Sequence, residues 1–232
     1  MEKHFIEVEN GEEVCAIHHG ANSGKYLFIC HGFGGTKQRQ SEYMQPAADS
    51  GLNAAGIDFR GNGDSDGDFI EQDLSSRIKD LEAAIEHFDP DEVFLFGTSF
   101  GGRVVLEVAS RREVDGVVAK APVTYNRVMD KFREVVKEKG EFEYIEGKPI
   151  DQRFFDDLDE YSFPETASGI ECLVAVFHGS EDTTVHTENS IQAIQELETD
   201  VMLQILEGEQ HSFSEKGKQK LIRQMFSWLD MI

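Results

Sequence analysis

The apolar run Val93-Phe94-Leu95-Phe96 leads directly into Gly97-Thr98-Ser99-Phe100-Gly101-Gly102, and residues 101 to 112 continue with helical spacing, Val104, Val105 and Val108 on the apolar side. Strand, sharp turn and helix are therefore encoded in about twenty consecutive residues. A serine turned this abruptly out of a strand has strained backbone angles and close neighbours, so glycine two residues to either side relieves the crowding. The following helix directs its NH-rich end at whatever reacts there. This is the pattern of a nucleophile elbow, and it predicts Ser99 as the nucleophile.

A second strand, Tyr26-Leu27-Phe28-Ile29-Cys30, runs into His31-Gly32-Phe33-Gly34-Gly35. Acyl transfer builds negative charge on a former carbonyl oxygen, and a glycine-rich loop lets backbone NH groups approach it. The NH groups of Phe33 and Phe100 are the expected donors, and His31 reads as a brace for the loop. A serine nucleophile also needs a base and a carboxylate that orients it. Leu173 to Phe177 reads as a buried strand ending in His178-Gly179-Ser180-Glu181-Asp182, and Val201 to Leu206 as another that leads to Glu209-Gln210-His211. Side chains converge where strands end at the carboxyl edge of a sheet. Asp182 is thus the expected acid and His211 the expected base, with Glu181 a solvated carboxylate and His178 a packed or hydrogen-bonded residue.

Strands near Phe5 to Val8, Val14 to His18, Tyr26 to Cys30, Asn53 to Phe59, Glu92 to Phe96, Gly116 to Ala121, Cys172 to Phe177 and Val201 to Leu206 alternate, after an opening hairpin, with helical segments. That alternation predicts an α/β fold with a mostly parallel eight-stranded sheet and helices on both faces. The clearest helices are Leu74 to Phe88, with Ile78, Leu81 and Ile85 on one face, and Gly217 to Leu229. Residues 122–165 interrupt the alternation with a connection far longer than usual. Their aromatic content, including Tyr125, Phe132, Phe142, Tyr144, Phe154, Phe155, Tyr161 and Phe163, predicts an inserted lid that houses the substrate-binding residues. The same aromatics would also suit a hairpin that only packs on the sheet.

These segments, together with Asp58-Phe59-Arg60-Gly61-Asn62-Gly63-Asp64-Ser65, give the chain a resemblance to the α/β-hydrolases over nearly its whole length. Within that superfamily it most resembles small bacterial carboxylesterases of the cinnamoyl or feruloyl esterase type. The resemblance implies ester hydrolysis through an acyl-serine intermediate, with no metal or organic cofactor, and substrate choice set by the inserted segment. His186 after Val185 departs from the proline that relatives often carry.

The 232 residues, 39% apolar, suffice for one large core, and a single domain spanning 1–232 is expected. The chain has no apolar run of membrane-spanning length and no secretory pattern at its start, so a cytoplasmic protein without membrane association is expected. Cys15, Cys30 and Cys172 lack metal-binding or disulfide spacing. A formal charge of −23 from 45 acidic and 22 basic residues makes nucleic acid an unsuitable partner. It fits either adaptation to high salt or an ordinary acidic enzyme. The expected function is a serine carboxylesterase acting on small carboxylic esters, such as hydroxycinnamoyl or short-chain acyl esters. A serine peptidase or amidase, an acylglycerol lipase, or a non-catalytic ligand-binding member of the fold are the alternatives.

Overall fold

A computed structural model describes residues 1–232. In chain order the elements are β1 (Glu2–Glu7), β2 (Glu13–His19), β3 (Lys25–Cys30), α1 (Met44–Asp49), β4 (Asn53–Asp58), α2 (Leu74–Phe88), β5 (Glu92–Thr98), α3 (Phe100–Ala109), β6 (Gly116–Lys120), α4 (Asp130–Lys139), β7 (Glu141–Ile145), β8 (Lys148–Asp151), α5 (Gln152–Leu158), α6 (Phe163–Ser168), β9 (Leu173–Gly179), α7 (Glu188–Glu196), β10 (Val201–Leu206) and α8 (Glu215–Leu229). Eight strands form one sheet in the order β1-β2-β4-β3-β5-β6-β9-β10. Only β2 runs antiparallel to its neighbours β1 and β4; the remaining pairs are parallel. The mostly parallel eight-stranded sheet with helices on both faces, expected from the alternation, is present. Several element ends differ, among them β1, which begins at Glu2 rather than Phe5, α3, which ends at Ala109 rather than Arg112, and β9, which Cys172 precedes; the two-stranded β7–β8 sheet was not among the expected strands.

The period of two along each strand divides the interior into two cores, one on each face of the sheet. Phe28, Leu95, Val117, Val174 and Val176 point to the side covered by α2 and α3, while Leu27, Ile29, Phe94, Phe96, Val118, Ala175 and Phe177 point to the side covered by α1 and α8. The central strands are apolar on both faces because both faces are buried. Helix α2 starts on a capping box in which Asp73 accepts from the Ser76 NH at 2.7 Å. Its first two NH groups are further satisfied by Asp157 from α5, which ties the inserted segment to the sheet-covering layer.

Residues 122–165 hold α4, the β7–β8 hairpin and α5. Phe154 and Phe155 of α5, and Phe163 at the start of α6, are buried in the core on the α2 and α3 side of the sheet, Phe154 against Phe33 and Phe100. The hairpin instead lies over the loop that follows β3: Lys148 Nζ donates to the Gly34 carbonyl at 2.8 Å and to Asn62 Oδ1 at 2.7 Å. Phe132 of α4 stacks on Phe142 and meets Tyr144 edge-on, and Tyr144 in turn meets Phe33 at 4.9 Å between ring centres.

Candidate active site

Ser99 stands between β5 and α3 with φ 55° and ψ −119°, a conformation that costs a residue bearing a Cβ about 1–3 kcal/mol and persists only where its surroundings enforce it. Gly97 and Gly101 do so. A Cβ on Gly97 would lie 2.2 Å from the Gly101 carbonyl oxygen, and one on Gly101 would lie 2.4 Å from that of His31. Although Ser99 occupies the N-cap position of α3, its side chain makes no capping bond. Its Oγ instead lies 3.0 Å from His211 Nε2.

His211 Nδ1 is 2.7 Å from Asp182 Oδ2, so the three residues form a hydrogen-bonded chain assembled from three loops at one edge of the sheet. Asp182 Oδ1 accepts from the NH groups of Thr184 at 2.8 Å and Val185 at 2.9 Å, and His178 Nε2 lies 3.2 Å from Oδ2. Burial alone would raise the Asp182 carboxyl; the hydrogen bonds from His178, His211 and the Val185 NH outweigh it and hold the group well below the usual carboxylate range. Asp182 is therefore an anion facing the imidazole at neutral pH. His178 is fully buried between Ser190 Oγ at 2.7 Å and the Val185 carbonyl at 2.8 Å, a hydrogen-bonded residue rather than a partner of Ser99. Glu181 is exposed.

The loop after β3 packs against Ser99, since a Cβ on Gly32 would fall 3.1 Å from Ser99 Cβ. His31 braces it: Nδ1 bonds the Gly32 carbonyl at 2.8 Å and Nε2 accepts from the Phe59 NH at 3.2 Å. Burial pushes the imidazole down to about 3, against the opposing Gly32 hydrogen bond, so it is neutral. The amides of Phe33 and Phe100 have no hydrogen-bond partner within the protein. That of Phe100 opens α3, where the helix presents its positive end.

Two side chains not foreseen from the sequence stand behind this arrangement. Arg77 of α2 is fully buried, and none of its guanidinium nitrogens has a protein hydrogen-bond partner. It lies 5.0 to 5.7 Å from the ring centres of Phe33, Phe59, Phe69 and Phe100, and burial pushes it down to about 10 against the raising effect of Asp80 and Asp73. The signal was a cation three residues after Leu74 and four before Leu81, on the apolar stripe of α2. Lys120, at the end of β6, donates to the His211 carbonyl at 2.6 Å and lies 4.3 Å from the Phe213 ring centre. Burial pushes it down to about 8, with Asp182 acting in the opposite direction. Its position at the carboxyl end of a strand was the available clue.

Asp58 to Ser65 is structural rather than reactive. Asp58 accepts from the Lys37 NH at 2.6 Å, from the Lys37 ammonium and from the Asp64 NH, while Ser65 Oγ bridges the Asp58 carbonyl and the Cys15 NH.

Two cavities open on Ser99. One, of about 30 Å³, is apolar and lined among others by Phe33, Phe100, Met129, Phe132, Tyr144 and Val185. The other, of about 310 Å³, is polar and includes Arg39, Gln40, Thr98, Lys120 and Ser212. Phe33 and Tyr144 belong to both. A larger hollow of about 550 Å³ at the end of α3 contains none of these residues.

The chain is similar to the quorum-quenching protein AidA of Acinetobacter baumannii, 32% identical over 107 residues, which is 42% of this chain and about a third (35%) of that relative's length. Among solved structures it is similar to ferulic acid-bound Est1E of Butyrivibrio proteoclasticus, with a TM-score of 0.86 at 17% identity over 97% of both chains. It is also similar to mouse alpha/beta hydrolase domain-containing protein 10, with a TM-score of 0.84 at 18% identity over 100% of this chain and 99% of that one. The model of the prolyl oligopeptidase family matches residues 38–232, and the chain therefore belongs to that family of α/β-hydrolases.

Proposed function

We propose that the protein is a serine hydrolase of carboxylic esters that carry a short apolar acyl group and a larger polar alcohol portion. The observation that carries this reading is the hydrogen-bonded chain from Ser99 Oγ through His211 to Asp182, built on a strained elbow. In the proposed reaction His211 Nε2 takes the Ser99 proton as Oγ attacks the ester carbonyl. The NH groups of Phe33 and Phe100 receive the developing oxyanion. Asp182 keeps the Nδ1 proton in place and stabilises the imidazolium. His211 then passes its proton to the departing alcohol, and a water molecule repeats the sequence on the acyl-serine to release the acid.

The two cavities support the division of the substrate. The apolar cavity, about 30 Å³, suits a short acyl chain, and a hydroxycinnamoyl group of the kind bound by Est1E would need Phe132 and Tyr144 to swing outward. The polar cavity carries Arg39 and Lys120 and no carboxylate. A peptidase that holds a substrate's terminal ammonium would need the opposite charge there, so the ester reading is favoured over a peptidase of that kind.

The test is hydrolysis of acetyl, butyryl, octanoyl and hydroxycinnamoyl esters and an aminoacyl anilide by wild type and Ser99→Ala. The expected outcome is turnover greatest for the shortest acyl groups, reduced at least ~10⁴-fold by Ser99→Ala without loss of fold. Anilide cleavage in the absence of ester cleavage would favour the peptidase, and undiminished turnover by the variant would remove Ser99 from the mechanism.

A further inference from the structure

Far from Ser99, at the edge of the sheet formed by β1, three histidines from three different elements come together. Glu2 pairs directly across from His18 in the β1–β2 ladder, and His4 lies two residues along the same face as Glu2. His87, from the last turn of α2, completes the group: its Nε2 lies 3.2 Å from His4 Nδ1. The rings are held in place, His4 and His18 by Phe88 at 4.9 and 5.3 Å between ring centres, and His18 also by stacking on Tyr26 at 5.7 Å.

The Nε2 atoms of both His4 and His18 are shielded from solvent and have no hydrogen-bond partner. Buried polar atoms are rarely left unpaired, because each costs about 1–3 kcal/mol. A carboxylate oxygen of Glu2 is 4.0 Å from His4 Nε2, and one donor atom from each of Glu2, His4 and His18 lies within 4.8 Å of the others. Two inward-facing imidazole nitrogens and a carboxylate oxygen are the donor set of a zinc-type ion. The His87 contact supplies the outer partner such sites use: with His4 Nδ1 donating to His87, Nε2 is left with its lone pair directed at the group.

We propose that Glu2, His4 and His18 bind a divalent first-row transition ion of the zinc type, with His87 orienting His4. Ligand-to-ligand separations around tetrahedral zinc are about 3.3 Å, so binding draws the donors together by about an ångström. The exposed Glu2 side chain and the half-buried His4 can supply this by side-chain rotation. The strand order puts β2, β4 and β3 between β1 and the Ser99-bearing β5, so the ion's role is structural. It clamps the exposed edge strand to β2 and, through His87, to the end of α2.

Calorimetric titration of the metal-free full chain with Zn²⁺, and Co²⁺ absorption spectra, test the site. One ion per chain is expected, with a Co²⁺ spectrum of low coordination number, and with affinity reduced at least tenfold by His4→Gln and by His18→Gln. Glu2→Gln, at an exposed position that leaves packing intact, is expected to weaken binding severalfold, and Mg²⁺ is expected not to bind. Saturating Zn²⁺ should raise the melting temperature of wild type and not of the two histidine variants. Absence of Zn²⁺ binding would overturn the proposal, as would affinity unchanged in all three variants, or affinity lost in His211→Gln while retained in His4→Gln.

Discussion

The guanidinium of Arg77 is a buried cation faced by four aromatic rings and by no hydrogen-bond acceptor. Ring quadrupoles return part of the lost hydration, about 0.5–2 kcal/mol per contact at best, against a desolvation cost of several kcal/mol. The residue is thus a net burden on stability. Two of its rings belong to Phe33 and Phe100, the proposed oxyanion donors, so the charge lies close behind the point where negative charge would develop. Arg77→Met should raise the urea midpoint, by the equivalent of ~1–3 kcal/mol, while lowering kcat for ester hydrolysis with little change in KM. A variant that is both less stable and fully active would show that the charge serves packing alone. Lys120 is a different case, because its ammonium has both the His211 carbonyl and the Phe213 ring as partners.

Among the elements, the β7–β8 hairpin and α4 contribute to the wall of the apolar cavity. Lys148 anchors the hairpin to Gly34 and Asn62, and the Phe132 and Tyr144 rings form the cavity's outer wall. Tyr144→Ala should therefore enlarge the acyl side and shift selectivity, raising kcat/KM for octanoyl relative to acetyl esters by about tenfold, the amount that one or two added methylenes are worth in an apolar pocket. Equal effects on all chain lengths would mean that the cavity is not the acyl site. The aromatic richness of 122–165 was legible as apolar surface in excess of what a loop needs. Which rings would serve the core and which the cavity was not, since Phe154 and Phe155 differ from Phe132 and Tyr144 only in what they meet across the chain.

At the scale of the whole molecule, a charge of −23 makes self-repulsion a standing cost that salt screens. Raising NaCl from 0.1 to 1 M at pH 7.5 should raise the melting temperature by at least about 3 °C, corresponding to ~1 kcal/mol. Unchanged melting would mean that the carboxylates are already compensated locally, as Asp58, Asp80 and Glu107 are by Lys37, Arg60 and Arg103. The pH response is best read at 1 M salt. His31 is held near 3 in the fold and reverts to about 6.5 on unfolding, so the unfolded chain binds the extra proton between those values. Its contribution is complete above about pH 6.5 and is lost as the pH falls toward 3; the depressed Asp182 acts in the same direction at lower pH. Lys120, pushed down to about 8, adds a smaller loss between pH 8 and 7, and Asp80, pushed up to about 6 by burial, opposes His31 as the pH falls through 6. The fall in urea midpoint from pH 7 to 5 should therefore be larger in wild type than in His31→Asn, and an equal change in the two would show that His31 is not held neutral.

The sequence by itself determined the architecture and the candidate nucleophile, because both are local. A strand apolar on both sides, a glycine-flanked serine and the amphipathic stripe of α2 are written in contiguous residues whose periodicity and backbone freedom do not depend on distant partners. Strand-end logic then ranked Asp182 and His211 above the other carboxylates and histidines, since the carboxyl edge of a parallel sheet gathers whatever follows its strands. Only the tertiary structure decided what depends on contacts between distant segments. Arg77 lies behind residues 33 and 100, Asp58 pairs with Lys37, and Phe132 and Tyr144, not Phe154 and Phe155, face the cavity. The histidines at 4, 18 and 87 share no spacing or motif along the chain. A strand register and the end of a helix place them side by side, and no local pattern carries that information.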